Sequence, residues 1–242
     1  MTRINALIPA RGGSKGVYKK NIKNLLGFPL IAYSIAACRL SKTIDRIIVS
    51  TDDEEIAEVA KKFGAEVPFL RPSEFAGDRS PDTDVLQHYF SMIENSADVA
   101  YIRPTTPLRD PEVIDESIRE YFHSNILRST GIRSMHELPE SPHKMFTLDS
   151  QGYCCGFFED FNGIKNYTNL PRQIFPKAYQ PNGYLDIVKK VTLMDGDEFG
   201  DMILPIVTDF VIEVDEQYQF DLLETQLLKD GHVLLDELKK WE

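Results

Sequence analysis

Across its first hundred residues this chain alternates short apolar runs with helix-like stretches, and that rhythm limits what it can fold into. Asn5-Ala-Leu-Ile-Pro9 reads as a buried strand. A loop rich in Gly and Lys follows, and Pro29 then opens a helix to about Leu40. Arg46–Thr51 predicts a second strand, and Asp52-Asp53-Glu54-Glu55 the acidic start of the next helix. Glu66–Leu70 predicts a third strand. Ser80-Pro81 predicts the N-cap and first residue of a helix to about Glu94, and Val99–Ile102 a fourth strand. Asp110-Pro111 opens another capped helix. The expected fold is therefore α/β, a mostly parallel doubly wound sheet covered on both faces.

From Leu127 to Asp186 the rhythm breaks, with Pro139, Pro142, Pro171, Pro176 and Pro181 as punctuation. We expect a core over 1–126, a small inserted lobe over 127–186 and a C-terminal part of the core over 187–242. In that last part Ile203–Val207 and Phe210–Val214 predict strands, followed by one or two helices reaching Trp241.

Charge narrows the function. The 242 residues hold 27 basic and 38 acidic side chains, a net charge of -11. Such a surface excludes general binding to nucleic acid or anionic membranes, which are themselves polyanions. Yet residues 1–24 carry Arg3, Arg11, Lys15, Lys19, Lys20 and Lys23 and no acid. A basic loop in an acidic protein suits a small anion. Cys38, Cys154 and Cys155 have no metal-ligand spacing and supply no disulfide framework. No apolar run approaches the ~20 residues of a membrane span, and Ile4–Ala10 is too short for a signal segment. A cytoplasmic protein is expected.

In a parallel sheet, ligands bind beyond the carboxyl ends of the strands. After the first strand comes Pro9-Ala-Arg-Gly-Gly-Ser-Lys-Gly16. Gly12 and Gly13 let the backbone approach a ligand, Ser14 adds a hydroxyl, and Arg11 and Lys15 oppose phosphate charge. Gly12 and Gly16 are too close for a Walker A loop, and no dinucleotide fingerprint is present. A solvated basic turn is the structural alternative. Lys20-Asn21 could complete a triphosphate or base contact, or form an ordinary polar turn. Asp52-Asp53 reads first as a helix cap.

Arg103-Pro-Thr-Thr-Pro-Leu-Arg109 follows the fourth strand, a stiff loop whose hydroxyls and guanidiniums offer donors to an anionic or polyhydroxylated ligand. Gln180–Asp186 combines an Asn-Gly turn with a strand. Asp186 there could bind a sugar hydroxyl or face solvent. Glu213-Val-Asp215 would place two carboxylates on one strand face, a pattern suited to Mg2+ shared with substrate phosphate. Exposed alternating acids are the alternative.

In this order the motifs resemble the acylneuraminate cytidylyltransferases, which make CMP-sugars of nonulosonic acids. The resemblance covers nearly the whole chain. It rests on Ile8–Gly16, Lys20-Asn-Ile22, Arg71-Pro72 with Glu74 and Asp78, Arg103–Arg109, Pro142-His-Lys144, Arg172-Gln173, Pro181-Asn-Gly183 and Glu213-Val-Asp215. It implies that Arg11, Lys15 and Lys20 hold the triphosphate of CTP, Asn21 the base or ribose, and that Arg71 and Ser80 line the nucleotide pocket. Thr105, Thr106, Lys144 and Arg172 would face the sugar, with Arg103 and Asp186 on the same side. Glu213 and Asp215 would bind magnesium, and a homodimer would complete each sugar pocket through the lobe. Three departures from the family pattern stand out. Arg103 replaces a glutamine, Glu213 an aspartate, and Tyr184-Leu-Asp186 a more apolar run. They point to an acceptor of the diacetamido, legionaminic type rather than N-acetylneuraminate. A sugar nucleotidyltransferase of other specificity and a silent nucleotide-binding scaffold are the competing readings.

Overall fold

A computed structural model describes residues 3–94, 96, 98–124 and 129–241. In chain order the elements are β1 (Ile4–Pro9), β2 (Asn24–Leu25), β3 (Phe28–Pro29), α1 (Leu30–Leu40), β4 (Ile44–Ser50), α2 (Glu54–Lys62), α3 (Asp82–Met92), β5 (Asp98–Tyr101) and α4 (Pro111–Ser124). They continue as β6 (Gly131–Glu137), β7 (Phe146–Leu148), β8 (Cys154–Gly156), β9 (Tyr179–Lys189), α5 (Lys190–Met194), β10 (Ile203–Thr208), α6 (Gln217–Asp230) and α7 (Val233–Leu238).

Six strands form one sheet in the order β10-β6-β9-β5-β1-β4. β1 runs parallel to β4 and β5, and β6 parallel to β10; β9 runs antiparallel to both of its neighbours. The sheet is thus mostly parallel, as the strand–helix rhythm predicts. From β1 the chain crosses by α1 to β4 on one side, and β5 lies on the other. That divergence opens a crevice at the carboxyl ends of β1 and β5, where ligands bind in open α/β sheets.

The core follows from the apolar runs. Leu7, Val99, Tyr101 and Val188 pack with Leu86 and Tyr89 of α3 on one face. Ala6, Ile8, Ala100 and Ile102 pack with Ile31, Ile35, Ile118 and Leu234 on the other. Adjacent β1 residues thus serve opposite faces, as strand geometry requires. Asp53 caps α2, its Oδ1 accepting from the Glu55 and Ile56 N–H groups.

Several expectations need correction. Glu66–Leu70 contributes only one parallel bridge, Ile48 to Glu66, because Pro68 cannot donate to a ladder. Phe210–Val214 forms no strand and joins no ladder among the described residues. Ser80 does not cap α3; its hydroxyl turns back to the Glu74 carbonyl at 3.0 Å. The excursion from the core is narrower than 127–186, since β6 and β9 belong to the main sheet and only 138–178 leaves it. The expected boundary at 126/127 lies outside the described residues. Within the excursion, the His143 ring stacks on Phe175 at 4.9 Å and meets Phe158 and Phe161 at 4.7 and 5.0 Å. This small aromatic cluster packs the lobe internally.

Candidate active site

A cleft of about 440 Å³ opens at the switch point. Its walls come from the loop after β1, the segment 71–82, the loop after β5 and the stretch before α6. Arg11, Ser14, Lys15, Lys20, Asn21, Arg71, Ser80, Arg103, Thr105 and Asp215 all line it.

The early loop and the late acidic segment meet directly. Lys20 Nζ lies 2.9 Å from Asp215 Oδ1. A Cβ added at Gly16 would stand 2.2 Å from the Asp215 carbonyl, so only glycine permits this approach. Asp215 is placed by the Val214 N–H, which donates to the Thr105 carbonyl at 2.7 Å. Val214 is buried between Glu213 and Asp215. Burial first, and then the neighbouring Asp215 charge, raises the Glu213 carboxyl above its ordinary range. Glu213 itself does not line the cleft.

The β1 loop is held by its own polar groups. The Gly12 N–H donates to Asp52 Oδ1 at 3.0 Å, and Asn21 Nδ2 donates to the Arg11 carbonyl at 3.0 Å. Gly12 packs against Asp53, and neither Gly12 nor Gly13 lines the cleft. Arg11 Nη1 reaches the Gly77 carbonyl at 2.9 Å and Asp78 Oδ1 at 3.2 Å, and Lys15 pairs with the same carboxylate.

Arg71 is the most unusual group in the cleft. Its side chain is 3% exposed, yet Nε and Nη2 have no hydrogen-bond partner among the described residues. The nearest carboxylate, Asp52, is 4.0 Å from Nη2, too far for a hydrogen bond. Burial draws the guanidinium below its ordinary pKa. A buried donor set without acceptors is costly in the free chain and suits a ligand that supplies them.

The sugar-side candidates divide. Arg103 lines the cleft but is already held by Asp82, at 2.6 Å, and by Asp186; its guanidinium lies 5.0 Å from the Tyr101 ring centre. Asp186 is 1% exposed and also accepts from the Ser134 N–H. It neither faces solvent nor lines the cleft, because its two oxygens fix Arg103 and β6. Thr106 is buried, its hydroxyl donating to the Asn182 carbonyl at 2.8 Å. Lys144 Nζ donates to the Thr168 carbonyl at 2.6 Å, and Arg172 is exposed 4.0 Å from Glu140. Both stand on the lobe and do not line the cleft. Arg109, offered by its motif as a ligand donor, is fully buried and bonds only the protein.

Sequence reasoning missed Asp82 and Glu198. Asp82 reads as an ordinary acid at a helix start, and Glu198 as part of a solvated loop. Burial, followed by the charge of Asp82, pushes Glu198 up to about 7 from 4.5. Its Oε1 is buried and has no hydrogen-bond partner among the described residues. Between those pH values the folded chain keeps a proton that the unfolded chain has released. Glu198 therefore subtracts stability as pH rises from about 4.5, and its effect levels off above about 7. The full shift corresponds to at most about 3 kcal/mol. Glu198→Gln stays neutral, so its stability relative to the parent should improve by about 1–3 kcal/mol from pH 4.5 to pH 8. Urea melts at the two pH values check this; a constant difference contradicts it.

Comparison with known proteins gives the family. The cytidylyltransferase family model matches residues 5–166. An N-acylneuraminate cytidylyltransferase of Escherichia coli is 29% identical over 97% of this chain; the chain spans 54% of that protein's length. A CMP-N,N'-diacetyllegionaminic acid synthase of Campylobacter jejuni is 31% identical over 93% of this chain and 94% of its own. The solved structure of CMP:2-keto-3-deoxy-manno-octonic acid synthetase complexed with CTP has a TM-score of 0.70, covering 95% of this chain and 100% of that one. At 13% identity, that likeness speaks for the fold. With the matched family model over two thirds of the chain and a relative similar almost end to end, this chain belongs to the cytidylyltransferase family.

Proposed function

We propose that this chain is a magnesium-dependent enzyme that transfers CMP from CTP to the anomeric hydroxyl of a nonulosonic acid, releasing pyrophosphate. The observation that carries the reading is the convergence of Arg11, Lys15, Lys20 and Arg71, two of whose donors lack a hydrogen-bond acceptor among the described residues, on one cleft with Asp215. Four cationic side chains around a cleft at a topological switch point suit a nucleoside triphosphate. The attacking hydroxyl adds at the α-phosphorus as the bond to pyrophosphate breaks. Arg11, Lys15 and Lys20 offset the charge that grows on the leaving oxygens.

The residues fit magnesium bound together with nucleotide. Among the described residues no three His, Cys, Asp or Glu side chains form a metal cage. Magnesium needs none: one or two carboxylates suffice when substrate phosphates complete its shell. Asp215 lines the cleft and would supply that carboxylate, while Glu213, the other expected ligand, does not line it. When bound, the ion would polarise the phosphate oxygens and lower the pKa of the attacking hydroxyl.

Within the nonulosonic acids our reading is a diacetamido acid of the legionaminic type. The Campylobacter relative, matched nearly end to end, supports it. We also read the enzyme as a cytoplasmic homodimer. The lobe exposes Phe146, Leu148, Tyr153 and Phe157, an apolar surface suited to a second copy, and it carries Lys144 and Arg172 away from this chain's own cleft. No described helix is long and apolar enough to cross a membrane.

Pyrophosphate release with CTP, magnesium and a panel of acids tests the reading. Turnover with a legionaminic-type acid is expected. Activity only with a hexose 1-phosphate would replace it with another nucleotidyltransferase, and nucleotide binding without turnover would leave a scaffold.

A further inference from the structure

The cations of the β1 loop that face the cleft are each paired with a carboxylate on another wall. Lys20 holds Asp215, which the reading above also uses as a metal ligand. Arg11 and Lys15 share one partner, Asp78, each taking a different oxygen. Asp78 has no comparable second use.

Nor is Asp78 needed to shape its own turn. The Gly77 N–H donates to Ser80 Oγ at 3.1 Å, Ser80 Oγ donates to the Glu74 carbonyl at 3.0 Å, and the Ser80 N–H donates to the Gly77 carbonyl at 3.2 Å. Arg11 is tied to that turn independently, through the Gly77 carbonyl at 2.9 Å. The turn and its link to Arg11 therefore stand without the Asp78 carboxylate. The ion pairs themselves are open to water: the Lys15 side chain is 79% exposed and that of Asp78 39%. Pairs of this kind are weak and readily exchanged for a stronger anion.

We propose that Asp78 is an internal stand-in for the phosphate chain. This rests on the nucleotide reading of the cleft. Without nucleotide, the carboxylate keeps Arg11 and Lys15 gathered at the cleft mouth. An incoming polyphosphate takes both cations and releases Asp78, so the residue opposes binding while it orders the loop. Its removal should tighten anion binding, although it lines the site.

Calorimetric titration of inorganic triphosphate without divalent metal, at physiological salt, tests this on the parent, D78A, D78N and D84N. Asp84 provides the charge control: it stands in the first turn of α3, close in sequence, and holds neither Arg11 nor Lys15. D78A and D78N should bind about three- to tenfold more tightly than the parent, while D84N stays unchanged. In turnover, KM for CTP should fall in both Asp78 variants without a rise in kcat. D78N keeps the side-chain shape, should D78A fold poorly. Equal or weaker binding in both variants overturns the proposal, as does equal tightening in D84N, which would mean a general field. If the parent binds no triphosphate, the nucleotide reading falls as well; parental binding with unchanged Asp78 variants sinks this proposal alone.

Discussion

Arg71→Ala should raise KM for CTP at least about a hundredfold while leaving the melting temperature within a few degrees of the parent. The guanidinium is 3% exposed, and two of its nitrogens find no acceptor among the described residues. Folding already bears the cost of burying them, so truncation takes little stability away. A bound nucleotide would supply acceptors, and charge-assisted hydrogen bonds contribute about 1.5–3 kcal/mol each. Loss of two such bonds is about 3 kcal/mol or more, roughly a hundredfold in affinity. Arg71→Lys should not restore binding, because a point charge cannot replace the planar fork. An unchanged KM, or a collapse in stability, would show that Arg71 serves the fold and not the ligand.

Arg109→Ala should do the opposite. This side chain is fully buried and saturated. It donates to the carbonyls of Tyr184 at 2.6 Å, Gly183 at 2.8 Å, Arg103 at 2.5 Å and Thr106, and to Ser34 Oγ at 2.9 Å. Burial draws its pKa down to about 10, which still leaves it charged at neutral pH. Truncation takes a donor from four carbonyls, of which that of Arg103 keeps the Thr106 N–H, and leaves a cavity, a loss of about 3–5 kcal/mol. For a chain of this size that lowers Tm by roughly 10 °C. The loop after β5 would lose its tether to β9, so activity should fall at temperatures where the parent still works. A Tm within two degrees of the parent contradicts this role. The two arginines together separate a donor set kept for a ligand from one used within the protein.

That separation was not legible in the sequence. Arg71 and Arg103 each precede a proline and Arg109 ends the proline-stiffened loop that Arg103 begins, and each reads as a ligand donor. Which of them finds acceptors depends on β9, more than seventy residues beyond Arg103 and Arg109. β9 itself was obscured, because Pro181 and Gly183 signal a turn. In the fold they sit inside an eleven-residue strand, with Gly183 at φ +61 and a register shift against β6. A bulge absorbs Gly183, while Pro181 keeps its place opposite Met135. Asp186 then falls beneath Arg103 and not at the cleft surface.

The local signals fared better. β1, α1, β4, α2 and β5 lie within two residues of their expected positions, because each is a single uninterrupted apolar or amphipathic run. The basic loop after β1 was visible through charge contrast and position alone. Phe210–Val214 has the composition of a strand but joins no ladder among the described residues; its Val214 N–H bonds the Thr105 carbonyl in the loop after β5. Composition can suggest an extended segment, but not whether a neighbour is available to pair with it.

A crystal of this protein grown with CTP and magnesium would test the central claim most directly. The account predicts the triphosphate in the cleft between the β1 loop and Asp215, with Arg71 donating to the nucleotide and the ion on the Asp215 carboxylate. Nucleotide bound elsewhere on the surface, with Arg71 still without an acceptor, would contradict it.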